Sequence, residues 1–188
     1  SSFCEVKLSD QNEILIRHEA LMDGYYKDQN ETEKTIKNGW LYTGDEGIID
    51  NEGFLRITGR VKDIFKTSKG KYVSPSPIEM KLSSNKDIEQ VCVVGDGIPQ
   101  PIALITLSDI GEAKNTDDLV KSLQMTKDLV NSKLNQHERL RNIVVLFDEW
   151  TVENKLLTPT MKIKRNSLEK IYKQNYSLWY DADNIVFV

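Results

Sequence analysis

Cysteine and histidine are scarce in this chain: each occurs only twice in 188 residues. Cys4 and Cys92 lie far apart in strand-like segments, and His18 and His137 have no neighbours at metal-ligand spacing. This excludes a disulfide framework and argues against a zinc site or a Cys/His nucleophile. It predicts two reduced thiols in a cytosolic protein. No apolar run approaches the ~20 residues that a membrane-spanning helix needs. The expected location is therefore cytoplasmic, with membrane association through peripheral contact left open. No signal peptide is visible, and Glu5–Leu8 already reads as a strand, so the chain is expected to be an excised fragment. Strong charge is also lacking. The net charge is −4, from 25 Lys and Arg against 29 Asp and Glu, which argues against general nucleic-acid binding.

The remaining composition, 39% hydrophobic and 29% charged, is that of an ordinary globular protein. The first third reads as hairpins. Glu5–Leu8 and Glu13–His18 flank the polar turn Ser9-Asp10-Gln11-Asn12, and Gly47–Asp50 and Phe54–Thr58 flank Asn51-Glu52-Gly53. Between them, Asn30-Glu31-Thr32-Glu33 resembles a capping box opening a short helix. After Gly59 the texture changes. Ile64–Ser68 and Lys71–Val73 flank a tight turn at Lys69-Gly70. Ser76-Pro77-Ile78-Glu79 has the cap serine and early proline of a helix start. Strands are expected at Ile88–Val94, Pro101–Leu107 and Ile143–Phe147.

Leu119, Leu123, Val130 and Leu134 recur at helical spacing between Asp117 and about Gln136. A last helix is expected to begin at Asn166-Ser167-Leu168-Glu169, with Leu168, Ile171, Tyr172, Asn175 and Trp179 on one face. Trp40, Trp150 and Trp179 are expected core anchors. The predicted fold class is α+β: a β-rich hairpin segment over 1–59, a linker at 60–63, and a mixed domain over 64–188 with a three-stranded central sheet.

Three segments carry chemistry. Tyr42-Thr43-Gly44-Asp45 follows Gly39-Trp40-Leu41. Gly59-Arg60-Val61-Lys62-Asp63 continues through Lys66-Thr67-Ser68-Lys69-Gly70-Lys71 to Pro77-Ile78-Glu79. The third is Leu157-Thr158-Pro159-Thr160-Met161-Lys162-Ile163-Lys164-Arg165. Taken singly, each has an ordinary reading: a turn aspartate, a solvated loop arginine or lysine, a hairpin turn, a basic lead-in to a helix. Together, in this order and spacing, they closely resemble the adenylate-forming superfamily of acyl-CoA synthetases, luciferases and nonribosomal peptide adenylation domains. The resemblance covers essentially the whole chain.

What the resemblance implies is a two-step reaction. A carboxylate attacks the α-phosphate of ATP to give acyl-adenylate and pyrophosphate; the CoA thiol then attacks the acyl carbon and expels AMP. By resemblance, Asp45 accepts the ribose hydroxyls and Arg60 contacts the ribose or the phosphates. Lys62 is the hinge residue, and Lys69-Gly70-Lys71 approaches the pantetheine arm of CoA. Lys162 is the catalytic lysine that bridges substrate carboxylate and α-phosphate. Such a cation suits a step that brings one anion onto another. The family often has glycine before this lysine, where this chain has Met161. Lys164 and Arg165 are neighbouring alternatives for the same role.

The wording Lys71-Tyr72-Val73-Ser74-Pro75 and Leu157-Thr158-Pro159-Thr160 looks most like long-chain fatty acid enzymes. The family's phosphate loop and magnesium-binding glutamate motif are not in this sequence. The fragment is therefore expected to be inactive alone and to hold no ligand tightly. ATP, Mg2+ and CoA would serve the full-length enzyme, with fatty acid as co-substrate and the missing N-terminal domain as partner. The alternatives are an adenylation domain loading a carrier protein, and a non-catalytic module that binds a nucleotide or a protein.

Overall fold

The computed structural model describes residues 4–188. The chain divides between Asp63 and Ile64 into two compact units.

The first unit contains strands β1 (Glu5–Leu8) and β2 (Glu13–Arg17), helix α1 (Gln29–Thr35), and strands β3 (Ile36–Lys37), β4 (Trp40–Ile49) and β5 (Leu55–Arg60). Their order is β1-β2-β4-β3, and the far half of β4 pairs with β5, all antiparallel. A 3-10 turn, Val61–Asp63, ends the unit. Strand β4 is longer than expected, so Tyr42-Thr43-Gly44-Asp45 lies within a strand. The cap of α1 is Asp28, whose carboxylate accepts the Glu31 N–H, rather than Asn30. Trp40 is not a core anchor. Its ring is half-buried, with the Lys7 ammonium 4.2 Å and the Arg17 guanidinium 4.6 Å from its centroid.

The second unit is a three-layer α+β domain. Strands β6 (Phe65–Lys66) and β7 (Tyr72–Val73) form a small hairpin, followed by helix α2 (Ser76–Leu82). The central sheet comprises β8 (Ile88–Val94), β9 (Ile102–Leu107), β10 (Ile143–Val145) and β11 (Ile185–Phe187), in the order β11-β10-β9-β8. It has four strands rather than three, because the chain end adds β11 parallel to β10. Helices α3 (Asp109–Glu112), α4 (Thr116–Asn131), α5 (Arg165–Tyr172) and α6 (Tyr176–Asp181) complete the unit.

Alternation along the strands explains the layering. Val91 and Val93, Ala103 and Ile105, Ile143 and Val145 point to one face, where α2 (Ile78, Leu82) and α4 (Leu119, Leu123, Val130) cover them. Cys92 and Val94, Ile102 and Leu104, Val144 and Leu146 point to the other, under Trp150, Leu157, Leu168, Tyr172, Tyr176 and Trp179. Both faces are buried, so the paired stretches Val91–Val94, Ile102–Ile105 and Ile143–Val145 are continuously apolar. Fully burying each Leu or Ile side chain contributes about 1.5–3 kcal/mol.

Several helix boundaries differ from expectation. In α2 the cap position is Pro75, with no side-chain cap bond, and Ser76 is already helical. Helix α4 stops at Asn131, while Leu134 packs on the core from beyond it. Helix α5 begins at Arg165, with Lys164 at the cap position and no side-chain cap bond there. It breaks at the 3-10 turn Lys173–Asn175, which rotates the apolar face: Ile171 is 47% exposed, and Tyr176 takes the buried place instead.

Candidate active-site surfaces

In the first unit, Asp45 and Arg60 are brought together as register partners in β4 and β5. Arg60 Nη1 donates to Asp45 Oδ1 at 2.8 Å, with side chains 56% and 29% exposed. Oδ2 takes no hydrogen bond among the described residues, so the carboxylate keeps acceptor capacity. The surrounding backbone is pinned by side chains. Thr43 Oγ1 donates to the Ile14 carbonyl and accepts the Asp45 N–H, and Glu13 accepts the Gly44 N–H. Gly44 has φ +74°, and a Cβ there would lie 3.4 Å from Arg60 Nη2, so glycine suits both the backbone and the approach of the guanidinium. Register shifts between Glu13 and Leu15 and between Glu46 and Gly47 flank the pair. Such irregularities re-aim side chains that a regular ladder would fix. Lys62 is exposed in the 3-10 turn that follows.

In the second unit, Lys69-Gly70-Lys71 forms the tip of the β6–β7 hairpin. The Gly70 N–H donates to the Thr67 carbonyl, the Thr67 N–H to the Lys71 carbonyl, and Gly70 has φ +78°. Lys69, Gly70 and Lys71 are all exposed. The hairpin is rooted by Phe65 and Val73 in the α2–α4 side of the core, and the Ser68 N–H binds the Ile98 carbonyl. Phe65 sits so close to Gly95 that a Cβ there would come within 2.4 Å of the ring.

Lys162 occupies a different turn. Leu157 and Ile163 form a single antiparallel bridge, and both belong to the α5–α6 side of the core. The Thr158 N–H donates to the Lys162 carbonyl, while the Thr158 hydroxyl accepts the Lys162 N–H. Met161, at the tip, has φ +60°, the left-handed region that favours glycine. The Lys162 side chain is exposed, and no ion pair among the described residues holds it. The hairpin turn and the Lys162 turn are thus rooted on opposite faces of one sheet.

Of the two neighbouring cations, Arg165 is committed elsewhere. Its Nη2 donates to Glu79 Oε1 at 2.6 Å and its Nη1 to the Val93 carbonyl at 2.6 Å. Glu79 was legible as an early helix residue at the end of the second motif, but nothing in local periodicity announces a partner 86 positions away. Among the described residues, no three His, Cys, Asp or Glu side chains could hold a metal ion, and no helix is long and apolar enough to cross a membrane.

The chain is 30% identical over 195 residues to the long-chain-fatty-acid–CoA ligase FadD15 of Mycobacterium tuberculosis, covering 95% of this chain and 32% of that protein. It is 31% identical to long-chain-fatty-acid–CoA ligase 5 of Mus musculus, covering 93% and 28%. The chain therefore spans about a third of the length of these curated relatives. Among solved structures, the adenylation domain of a carboxylate reductase from Mycobacterium chelonae superposes with a TM-score of 0.81 at 24% identity, covering 96% of this chain and 31% of that one. The anthranilate CoA ligase AuaEII, solved with anthranoyl-AMP, gives 0.72 at 25% identity, covering 93% and 34%. The family model for the AMP-binding enzyme C-terminal domain matches residues 62–184, and the chain belongs to that family of adenylate-forming ligases.

Proposed function

We propose that this chain is the C-terminal part of an ATP-dependent, AMP-forming acyl-CoA synthetase acting on long-chain fatty acids. Residues 1–59 are the end of a larger adenylation domain, 60–63 a hinge, and 64–188 a mobile C-terminal domain. In the first half-reaction a fatty acid carboxylate oxygen attacks the α-phosphorus of ATP, and pyrophosphate leaves. The Lys162 ammonium orients the two anions and stabilises charge on the transferring phosphoryl group. Asp45 accepts the ribose hydroxyls through its uncommitted Oδ2, while Arg60 fixes the carboxylate and adds positive charge beside the nucleotide. In the second half-reaction the CoA sulfur attacks the acyl carbonyl and AMP leaves. The Lys69-Gly70-Lys71 turn then lies along the pantetheine arm, where glycine allows close backbone approach. Mg2+, which would neutralise phosphate charge, is assigned to the larger domain, as are the acyl pocket and the phosphate loop.

One observation carries this reading: the two turns that the two half-reactions require are rooted on opposite faces of the same sheet. A rigid domain cannot easily aim both at one acyl carbon, but rotation about Lys62 would present each in turn. The test is to assay the half-reactions separately in the full-length protein. Lys162→Ala should slow adenylate formation by ~10²–10³ and largely spare thioester formation from preformed acyl-adenylate. Equal loss in both steps would remove Lys162 from the proposed role. The 188-residue chain alone should show no ATP–pyrophosphate exchange with any fatty acid; measurable exchange would overturn its reading as an incomplete enzyme.

A further inference from the structure

Strand β8 is an edge strand, so one side of it lacks a neighbouring strand. Val93 is nevertheless fully buried. Its N–H and its carbonyl, both directed away from β9, need partners that no strand supplies. Glu79 and Arg165 supply both. Glu79 Oε1 accepts the Val93 N–H at 2.7 Å, and Arg165 Nη1 donates to the Val93 carbonyl at 2.6 Å. The same Glu79 oxygen accepts from Arg165 Nη2 at 2.6 Å, which closes the set, and Arg165 Nη1 also lies 3.1 Å from Cys92 Sγ. At 14% and 17% side-chain exposure the pair is shielded from water, and each charge is hydrogen-bonded rather than merely opposed.

The location of this set matters more than its strength. Arg165 opens α5 three residues after Lys162. The Lys164 N–H is bound to the Leu156 carbonyl, and Leu157 pairs with Ile163, so both roots of the Lys162 turn converge just before Arg165. Glu79 belongs to α2, which packs on the opposite face and follows the β6–β7 hairpin after only a few residues. The Glu79–Arg165 pair therefore bridges, around the open edge of the sheet, the helix that follows the β6–β7 hairpin and the helix that follows the Lys162 turn.

We infer that Glu79 and Arg165 are positioning residues for the Lys162 turn, an inference that rests on the role of Lys162 given above. Lys162 is exposed on a turn whose tip residue is held in a left-handed conformation, so little besides its roots fixes where the ammonium points. The guanidinium fork sets one root by binding at once a carboxylate on α2 and the backbone of β8. The geometry also orders the substitutions. Glu79→Gln keeps an Oε1 that can accept from both Val93 and Arg165, and loses only charge. Glu79→Asp keeps the charge but, one methylene shorter, cannot reach both. Glu79→Ala removes both bonds to Oε1 and leaves Arg165 only its bonds to the Val93 carbonyl and Cys92.

The test is amide hydrogen exchange on this chain, followed in peptides over 157–165 and, as an internal control, over α4. Exchange in the turn should rise at least tenfold in Glu79→Ala and in Glu79→Asp, less than threefold in Glu79→Gln, and less than twofold in α4 throughout. If Glu79→Ala does not fold, the order of Asp and Gln decides, because a purely electrostatic role would place Asp nearer to wild type. Turn protection that is unchanged in Asp, or loss shared equally by α4, overturns the inference. In the full-length protein, Glu79→Asp should slow adenylate formation at least tenfold more than thioester formation, with Glu79→Gln close to wild type on both. If Lys162→Ala itself leaves adenylate formation intact, the functional reading fails; if Lys162→Ala is selective and Glu79→Asp is not, the positioning inference fails.

Discussion

Met161 is the residue at which sequence and backbone conflict most openly, and relieving that conflict gives a sharp test. It sits at φ +60° and the residue is 64% exposed, so it contributes strain and little packing. An L-residue in the left-handed region is disfavoured by about 1–2 kcal/mol, an energy that glycine does not incur. Glycine's greater freedom in the unfolded chain takes back about 0.5–1 kcal/mol. The balance predicts that Met161→Gly stabilises the second unit by about 0.5–1 kcal/mol. For a unit of this size that is a rise of about 2–4 °C in melting temperature. Met161→Val, which adds β-branching in the same conformation, should fall below wild type. Met161→Ala separates side chain from backbone, since it keeps the strain and loses only an exposed thioether. Calorimetry of the four proteins, with urea titrations to confirm unchanged m-values, gives the ranking Gly above Met and Ala, with Val lowest. If Gly proves less stable than Ala, residue 161 is not left-handed in solution, and the turn that presents Lys162 has a different backbone conformation.

Three further outcomes are expected. Lys127 is 4% exposed and donates to the Arg141 carbonyl and Asn184 Oδ1; burial, aided by Arg141, lowers its pKa against the pull of Asp128. The unfolded chain then binds more protons than the folded one between that lowered value and the ordinary lysine value of 10.5, so stability should rise as pH climbs through this window. Urea titrations at stepped pH should show the rise in wild type and not in Lys127→Met; the same slope in both would refute the assignment. A Cβ at Gly111 would meet the Asp87 carbonyl oxygen at 2.4 Å, a backbone atom that cannot swing aside. Gly111→Ala should therefore destabilise the second unit by about 2 kcal/mol or more, and a wild-type melting temperature would contradict the packing of α3 on Asp87. Lys62→Pro should restrict the hinge, since proline fixes its own φ and drives Val61 out of the helical region. One half-reaction should survive in the full-length protein while the other falls by orders of magnitude; two unimpaired steps would show that the pivot lies elsewhere.

The readily legible parts of the sequence were those governed by local rules. The apolar stretches Val91–Val94 and Ile102–Ile105 announced β8 and β9, and the polar clusters at 9–12 and 51–53 marked two hairpins. The helix starts were harder, because cap-like residues are common and only one position is used. Asp28, not Asn30, satisfies α1, and Ser76 lies one place inside α2. Strand β11 escaped because three residues after a helix carry too little pattern; its place is fixed by β10, which is 42 residues away in sequence. The same limit hid Glu79. Its place in the second motif and on a helix names no partner, whereas Val93 and Arg165 are brought to it by the sheet edge and the start of α5. The substitution of methionine for the family's usual glycine was visible at once, but its meaning needed a backbone angle.

The two units differ in a way that bears on what the chain is. Both faces of the four-stranded sheet are covered, so the second unit can display functional cations only on turns and element ends, and that is where Lys69, Lys71 and Lys162 are found. The described residues of the first unit form no such core. Among its described residues only Ile14 and Leu15 are buried apolar side chains, while Ile48, Ile49, Phe54, Leu55 and Ile57 on β4, β5 and their connection are 40–65% exposed. A sheet with so little buried area gains little to offset the cost of ordering its backbone, about 1–2 kcal/mol per residue. An apolar strip of this kind instead suits a segment whose core is completed by other residues. That supports the proposal that 1–59 belong to a larger domain, alongside a match that covers 95% of this chain and 32% of its relative.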